Sequence, residues 1–141
     1  MKPPQIIADS GAIVGLINRN DQWHQWAVEN SAKLAPPFFT CEPAITEACY
    51  LLRKTPGGPQ QVLGLVEAGH LELRFSLVEE AGFVRRLMQK YKDIPMAIAD
   101  GCIVRMSELI EDAAVFTVDS DFRIYRRHGR STIPLIIPDQ I

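Results

Sequence analysis

A chain of 141 residues, 47% hydrophobic and 23% charged, has the makeup of one compact globular domain and excludes a disordered or fibrous protein. Its formal net charge of −2 excludes attraction to nucleic acid through overall charge and leaves only local patches for that purpose. No segment approaches the ~20 apolar residues of a membrane span. After Met1–Gln5 a run of only three apolar residues, Ile6-Ile7-Ala8, leads to Asp9, too few for a signal-peptide core, so a soluble, cytoplasmic protein is expected.

In chain order, Ile6-Ile7-Ala8 is a short apolar run stopped by Asp9-Ser10-Gly11, which predicts a strand over 5–9 feeding a helix over 12–17. A second helix is predicted from Asp21, with Trp23, Trp26, Ala27 and Leu34 available to pack. His24 on that helix reads as a packing or surface histidine before a catalytic one. Pro36-Pro37 ends it, Phe38 to Cys41 reads as a strand, and Pro43 suits the first turn of a helix to Lys54. Thr55 to Pro59 is a loop, and Gln60 to Ala68 a helix closed by Gly69. Leu71 to Phe75 alternates as an edge strand does. Ser76-Leu77-Val78-Glu79 has capping-box spacing and opens a helix to Tyr91. Asp93-Ile94-Pro95 separates it from a helix over 96–110. Ala114 to Val118 is a second buried apolar strand, a basic stretch follows Asp121, and 134–138 is the last strand. Strands alternating with helices predict an α/β layer fold with a mainly parallel sheet. Cys41, Cys49 and Cys102 form no C-x-x-C pair and lie in apolar segments, so buried reduced thiols are expected rather than a zinc site or disulfides.

Two of the apolar strands end in aspartate. In open α/β sheets the functional crevice lies beyond the carboxyl ends of the strands, which brings Asp9 and Asp119 to one edge. Asp100 is the only charged side chain across Met96–Val104. A helix apolar all round is buried, and an unpaired buried carboxylate takes up a proton or destabilises the fold. Glu47 is likewise the only charge within Pro43–Leu52. Singly, each acid has an ordinary reading: Asp9 as an N-cap, Glu47 as a surface glutamate, Asp100 as a cap or ion-pair partner, Asp119 or Asp121 as a turn residue. Together they are explained by a hard divalent cation, Mg²⁺ or Mn²⁺, which prefers carboxylate and water oxygens and offsets repulsion among the acids. Such ions activate water and stabilise charge on a phosphoryl group during in-line attack, which suits phosphodiester hydrolysis.

The order and spacing of Asp9-Ser10 after a strand, Glu47 in the third helix, Asp100 in an apolar helix and Thr117-x-Asp119-x-Asp121-Phe122 resemble the PIN-domain ribonucleases, in particular the toxins of VapBC toxin–antitoxin pairs. The likeness covers essentially the whole chain, 1–141, as a single domain. It implies a three-layer fold with a central, mainly parallel sheet of about five strands flanked by helices. It implies a Mg²⁺- or Mn²⁺-dependent endoribonuclease in which Asp9, Glu47, Asp100 and Asp119 are catalytic and hold the metal. Ser10, Thr117 and Asp121 would support them, the hydroxyls by orienting a carboxylate or water. Asp93 also fits the pattern, as a loop-shaping residue. An antitoxin partner and a homodimer are implied as well. The chain departs from its relatives at Ala97, where many carry another acid, at Gly101, where alanine is common, and at Cys41, where serine is frequent.

Arg123, Arg126, Arg127 and Arg130, with no acid among them, follow Asp121 directly and form a local patch for RNA phosphates, which Arg53 and Lys54 could extend. The plain alternative is a solvated loop whose arginines complement nearby acids; Tyr125 within it could stack on a base or simply pack. Two other functions compete: an aspartyl-phosphate phosphatase or phospho-acceptor domain, and a PIN-like scaffold that binds RNA or protein without cutting. Against the first, Asp9-Ser10-Gly11 lacks the second aspartate of a D-x-D, and 134–138 contains no lysine.

Overall fold

The computed structural model describes residues 2–141. The elements run β1 (Gln5–Ala8), α1 (Ser10–Ile17), α2 (His24–Ser31), β2 (Phe38–Thr40), α3 (Glu42–Leu51), α4 (Gly58–Glu67), β3 (Leu71–Leu73) and α5 (Leu77–Lys90). They continue with α6 (Ile98–Leu109), β4 (Ala113–Phe116), a 3-10 turn (Ser120–Arg123), β5 (Arg126–Arg127), β6 (Ser131–Thr132) and β7 (Leu135–Ile136).

Five strands form one parallel sheet in the order β3-β2-β1-β4-β7. Side chains alternate across it with period two, and both faces are covered, which is why the strands read as unbroken apolar runs. Ile7, Phe39 and Val115 enter one core with Val84 of α5 and Ile103 and Met106 of α6. Ile6, Ala8, Phe38, Ala114 and Phe116 enter the other with Ile13 of α1, Ile45 of α3 and Val62 of α4. The α/β architecture with a central parallel sheet is therefore as expected. Among the described residues no helix is long and apolar enough to cross a membrane.

The chain builds outward from β1 through β2 to β3, then crosses to β4 and β7 on the other side. The direction of winding thus reverses between β1 and β4, where open α/β sheets place their crevice. Register pairs Ala8 with Phe116, so Asp9 and Thr117 leave the sheet as neighbours.

Several boundaries differ from expectation for local reasons. The second helix starts at His24, because the Asp21 carboxylate accepts the Trp23 amide at 2.8 Å and holds a turn there. Residues 58 and 59, expected in a loop, open α4: Gly57 takes a positive φ of 71° and Pro59 sits in the first turn. The helix expected from Met96 begins at Ile98, since Ala97 stays extended and its amide donates to the Asp100 carboxylate at 2.9 Å. The fourth strand ends at Phe116, before Val118. The basic stretch contains a hairpin, β5–β6, turned through His128 and Gly129 at positive φ. Arg105 ties this side together: Nε lies 2.8 Å from Glu80 on α5 and Nη1 3.0 Å from Glu108, whose other oxygen accepts the His128 amide.

Candidate active site

Asp9 caps α1 from the end of β1 and is 3% exposed. Its amide donates to the Phe116 carbonyl at 3.1 Å, continuing the sheet one residue past the strand. One carboxylate oxygen accepts from the Ser10 amide and lies 3.3 Å from the Ser10 hydroxyl oxygen; the other accepts from the Thr117 hydroxyl at 2.7 Å. Thr117 Oγ1 in turn accepts the Asp119 amide at 2.9 Å, and Asp119 accepts the Asp121 amide at 2.9 Å to cap the 3-10 turn. Across the site the Ser10 hydroxyl donates to Glu47 Oε1. A chain of hydrogen bonds therefore runs from Glu47 on α3 through Ser10, Asp9 and Thr117 to Asp119 and Asp121. Ser10 and Thr117, expected as supporting hydroxyls, occupy its two joints.

Asp100 enters from the first turn of α6. Burial, reinforced by the charges of Asp9, Asp119 and Glu47, pushes its pKa up to about 7 against the opposing hydrogen bond from the Ala97 amide. Asp9 is pushed up to about 6, first by burial and then by the charges of Asp119 and Glu47, with the Thr117 and Ser10 hydrogen bonds opposing. Burial and then Asp119 also raise Asp121. The acids thus feel one another as a single cluster. No cationic side chain answers them: among the described residues the ion pairs are Arg74–Glu72, Arg105–Glu80 and Arg105–Glu108.

The donor set of this cluster is carboxylate and hydroxyl oxygen, which is the chemistry of Mg²⁺ and Mn²⁺. Among the described residues no three of His, Cys, Asp and Glu form a ready-made cage for an ion. Mg²⁺ does not require one, since it keeps several waters and is commonly held through one or two carboxylates. Mutually repelling acids without a cationic partner, Asp9 and Asp100 buried and Glu47 and Asp119 half-buried, fit such an ion by their charge and donor type.

Gly11 belongs to the site although its role left no sequence signal. A β-carbon there would lie 2.7 Å from Val118 Cγ2, so the glycine lets the start of α1 close on the 117–119 segment. Gly11→Ala is expected to lower stability in urea unfolding by about 1–3 kcal/mol, the usual cost of forcing a methyl into a packed contact. An unchanged midpoint would mean that Val118 yields freely.

The arginines are dispersed, and two of them are engaged. Arg123 stays at the carboxyl edge, where its Nε donates to the Ile141 carbonyl at 2.9 Å. Arg126 Nη1 donates to the carbonyls of Arg123 and Ile124 at 2.7 and 3.0 Å. From there β5 runs away from the acids. Arg127 shares a hollow with Lys2, Pro4, Asp112 and Ala113, at the opposite end of β1 and β4. The hairpin turn beyond it rests on Glu108, near the far end of α6 from Asp100. Arg130 in that turn is exposed. The four therefore do not form one patch beside the acidic cluster.

His24 is a packing residue, its Nδ1 2.7 Å from the Gly15 carbonyl oxygen. Cys41 and Cys102 are buried free thiols, and contact with Cys102, then burial, pushes the Cys41 thiol up. Beside Glu47 a groove of about 690 Å³ opens between α3 and α6, lined by Thr46, Tyr50, Phe75 and Ile98 among others.

No protein-family model and no curated protein sequence matches the chain. Solved structures do: VapC20 of Mycobacterium tuberculosis, described as a Sarcin-Ricin loop cleaving toxin, superposes with a TM-score of 0.72, covering 83% of this chain and 92% of its own at 15% sequence identity. At that identity it is the fold that is shared: over most of its length the chain has the architecture of VapC20, here a five-stranded parallel sheet covered by helices on both faces.

Proposed function

We propose that residues 1–141 work as one PIN-like domain, a metal-dependent endoribonuclease, and as the toxin of a type II toxin–antitoxin pair. The observation that carries this reading is the convergence of Asp9, Glu47, Asp100 and Asp119, isolated acids from four parts of the chain, at the carboxyl edge shared by β1 and β4. The likeness to an RNA-cleaving toxin supports the choice of substrate.

In this reading Asp9, Asp100 and Asp119 hold Mg²⁺ or Mn²⁺, with Glu47 binding it or aligning the attacking water. The bound ion supplies Lewis-acid activation of water and positive charge for the phosphoryl oxygens. The chain supplies orientation. Thr117 fixes one oxygen of Asp9 and, through the Asp119 amide, the start of the turn that carries Asp119. Ser10 locks Glu47 to the same frame. Asp121 supports the Asp119 carboxylate through its amide. Arg123 is the arginine in reach of phosphates next to the cut, while Arg126, Arg127 and Arg130 would meet only an RNA that extends well past it. A buried Asp9 with both oxygens engaged is a poor nucleophile, which weighs against an aspartyl-phosphate mechanism.

Purified protein is expected to cut RNA with Mn²⁺, to stop in EDTA and to resume when Mn²⁺ is restored in excess. RNA binding without cleavage under every condition would overturn the nuclease reading in favour of a scaffold. Acting in the cytoplasm, such a toxin has three partners: an RNA substrate, an antitoxin and a second copy of the chain. The absence of a small DNA-binding antitoxin gene beside its own would weaken the toxin role but not the nuclease role.

A further inference from the structure

Tyr125 is completely buried, yet its hydroxyl meets no hydrogen-bonding partner among the described residues. Its ring stands edge-on to Tyr91 and Phe122, with centroids 5.1 and 5.3 Å apart, and its amide donates to the Asp121 carbonyl at 3.1 Å. The ring is thereby fixed, and the hydroxyl with it. Tyr91 next to it is satisfied, accepting the Arg126 amide at 2.9 Å. Buried phenols ordinarily find a partner, and leaving one unmet costs about 1–3 kcal/mol. Tyr125 shares its core with Met96, Cys102 and Ile103, which flank Asp100 along the start of α6. Burial and then the charges of Asp100, Asp121, Asp119 and Asp9 raise the phenol, so the hydroxyl keeps its hydrogen to donate. Asp100 has an oxygen to receive it: Oδ2 accepts the Ala97 amide, while Oδ1 has no donor among the described residues.

We propose that Tyr125 is a positioning residue of the acidic site, donating its hydroxyl hydrogen through one buried water to the free oxygen of Asp100 and so fixing how that carboxylate faces a bound cation. Buried waters commonly join polar groups that do not meet directly, and one such water would satisfy both the phenol and the free carboxylate oxygen. The position lies one turn beyond Asp121, on the segment that also carries Asp119, so the turn would align both acids and brace a third. This inference rests on the nuclease reading for the purpose of the contact, though not for the contact itself.

The test is Tyr125→Phe, which keeps the ring and removes only the oxygen, with Tyr91→Phe as a control. Carbon NMR of the Asp100 carboxyl in metal-free protein reads the contact whether or not the chain is a nuclease; its resonance is expected to move in Tyr125→Phe and to stay in place in Tyr91→Phe. Mn²⁺ titration by calorimetry reads the consequence, with affinity expected to fall about tenfold in Tyr125→Phe, as for other groups that orient a metal-binding carboxylate. An unmoved Asp100 resonance overturns the contact. A moved resonance with Mn²⁺ affinity within twofold of wild type overturns the positioning role. Wild-type protein that neither binds Mn²⁺ nor cuts RNA overturns that role together with the nuclease reading, while the NMR result still decides the contact.

Discussion

Asp9→Asn and Asp100→Asn proteins, supplied with Mn²⁺, are expected to cleave RNA at least about a hundredfold more slowly than wild type, the scale on which charge stabilisation at a phosphoryl centre is lost. The substitutions preserve shape. An asparagine side-chain oxygen can still accept from the Ser10 amide in Asp9→Asn and from the Ala97 amide in Asp100→Asn, so the starts of α1 and α6 survive. What disappears is negative charge at two buried points of the cluster, where solvent cannot supply a substitute. Asp121→Asn is the informative contrast. Asp121 receives no hydrogen bond on its carboxylate among the described residues and contributes through its amide, which asparagine retains. Its activity is expected to stay within about tenfold of wild type, the lower range for groups behind the metal-binding ones. Wild-type rates in Asp9→Asn or Asp100→Asn would remove these residues from the mechanism.

The second large effect is on stability. In EDTA the protein is expected to become less stable as pH rises from about 4 to about 7, and to regain stability when Mn²⁺ is added in excess at pH 8. The sign follows from the folded-state values. Asp9 and Asp100 are raised from 3.8 to about 6 and about 7, so the folded protein binds their protons more tightly than the unfolded chain does. Their contribution is full below the unfolded value and is lost as pH climbs through the folded ones. At ~1.4 kcal/mol per pKa unit, the Asp9 change alone is on the order of 3 kcal/mol. Asp100→Asn is expected to melt higher than wild type at pH 8 without metal and to flatten the pH slope. A melting temperature that is constant or rises from pH 5 to pH 8 in EDTA would contradict the buried-acid account.

Much of the fold and the acidic cluster is legible in the sequence, for identifiable reasons. The runs ending at Asp9 and near Asp119 are short and apolar on both faces, a pattern that suits a covered parallel strand. Asp100 and Glu47 stand out because each is the lone charge of an apolar stretch, Met96–Val104 and Pro43–Leu52. The hairpin of β5 and β6 is not legible, since two-residue strands of charged and hydroxyl side chains carry no periodicity. That hairpin is also what disperses the arginines: neighbours in the sequence leave the site in different directions. The engagement of Arg123 with carbonyls depends on where Pro138 and Ile141 come to rest, which no local pattern encodes. Gly11 and Tyr125 are similar cases. One matters through a methyl group of Val118, far along the chain, and the other through an oxygen that the fold leaves without a partner.

The adjacency of β1 and β4 has a consequence for synthesis. Asp9 and Thr117 are 108 positions apart, and the strands that bring them together are parallel, so their pairing closes a loop of most of the chain. Long-range parallel pairing is slow, and on a ribosome it cannot begin until the later strand has emerged. A growing or stalled chain therefore carries Asp9, Glu47 and even Asp100 without the partner edge that aligns them. If the chain is the nuclease proposed above, it would stay inert on the ribosome until β4 has emerged and paired with β1.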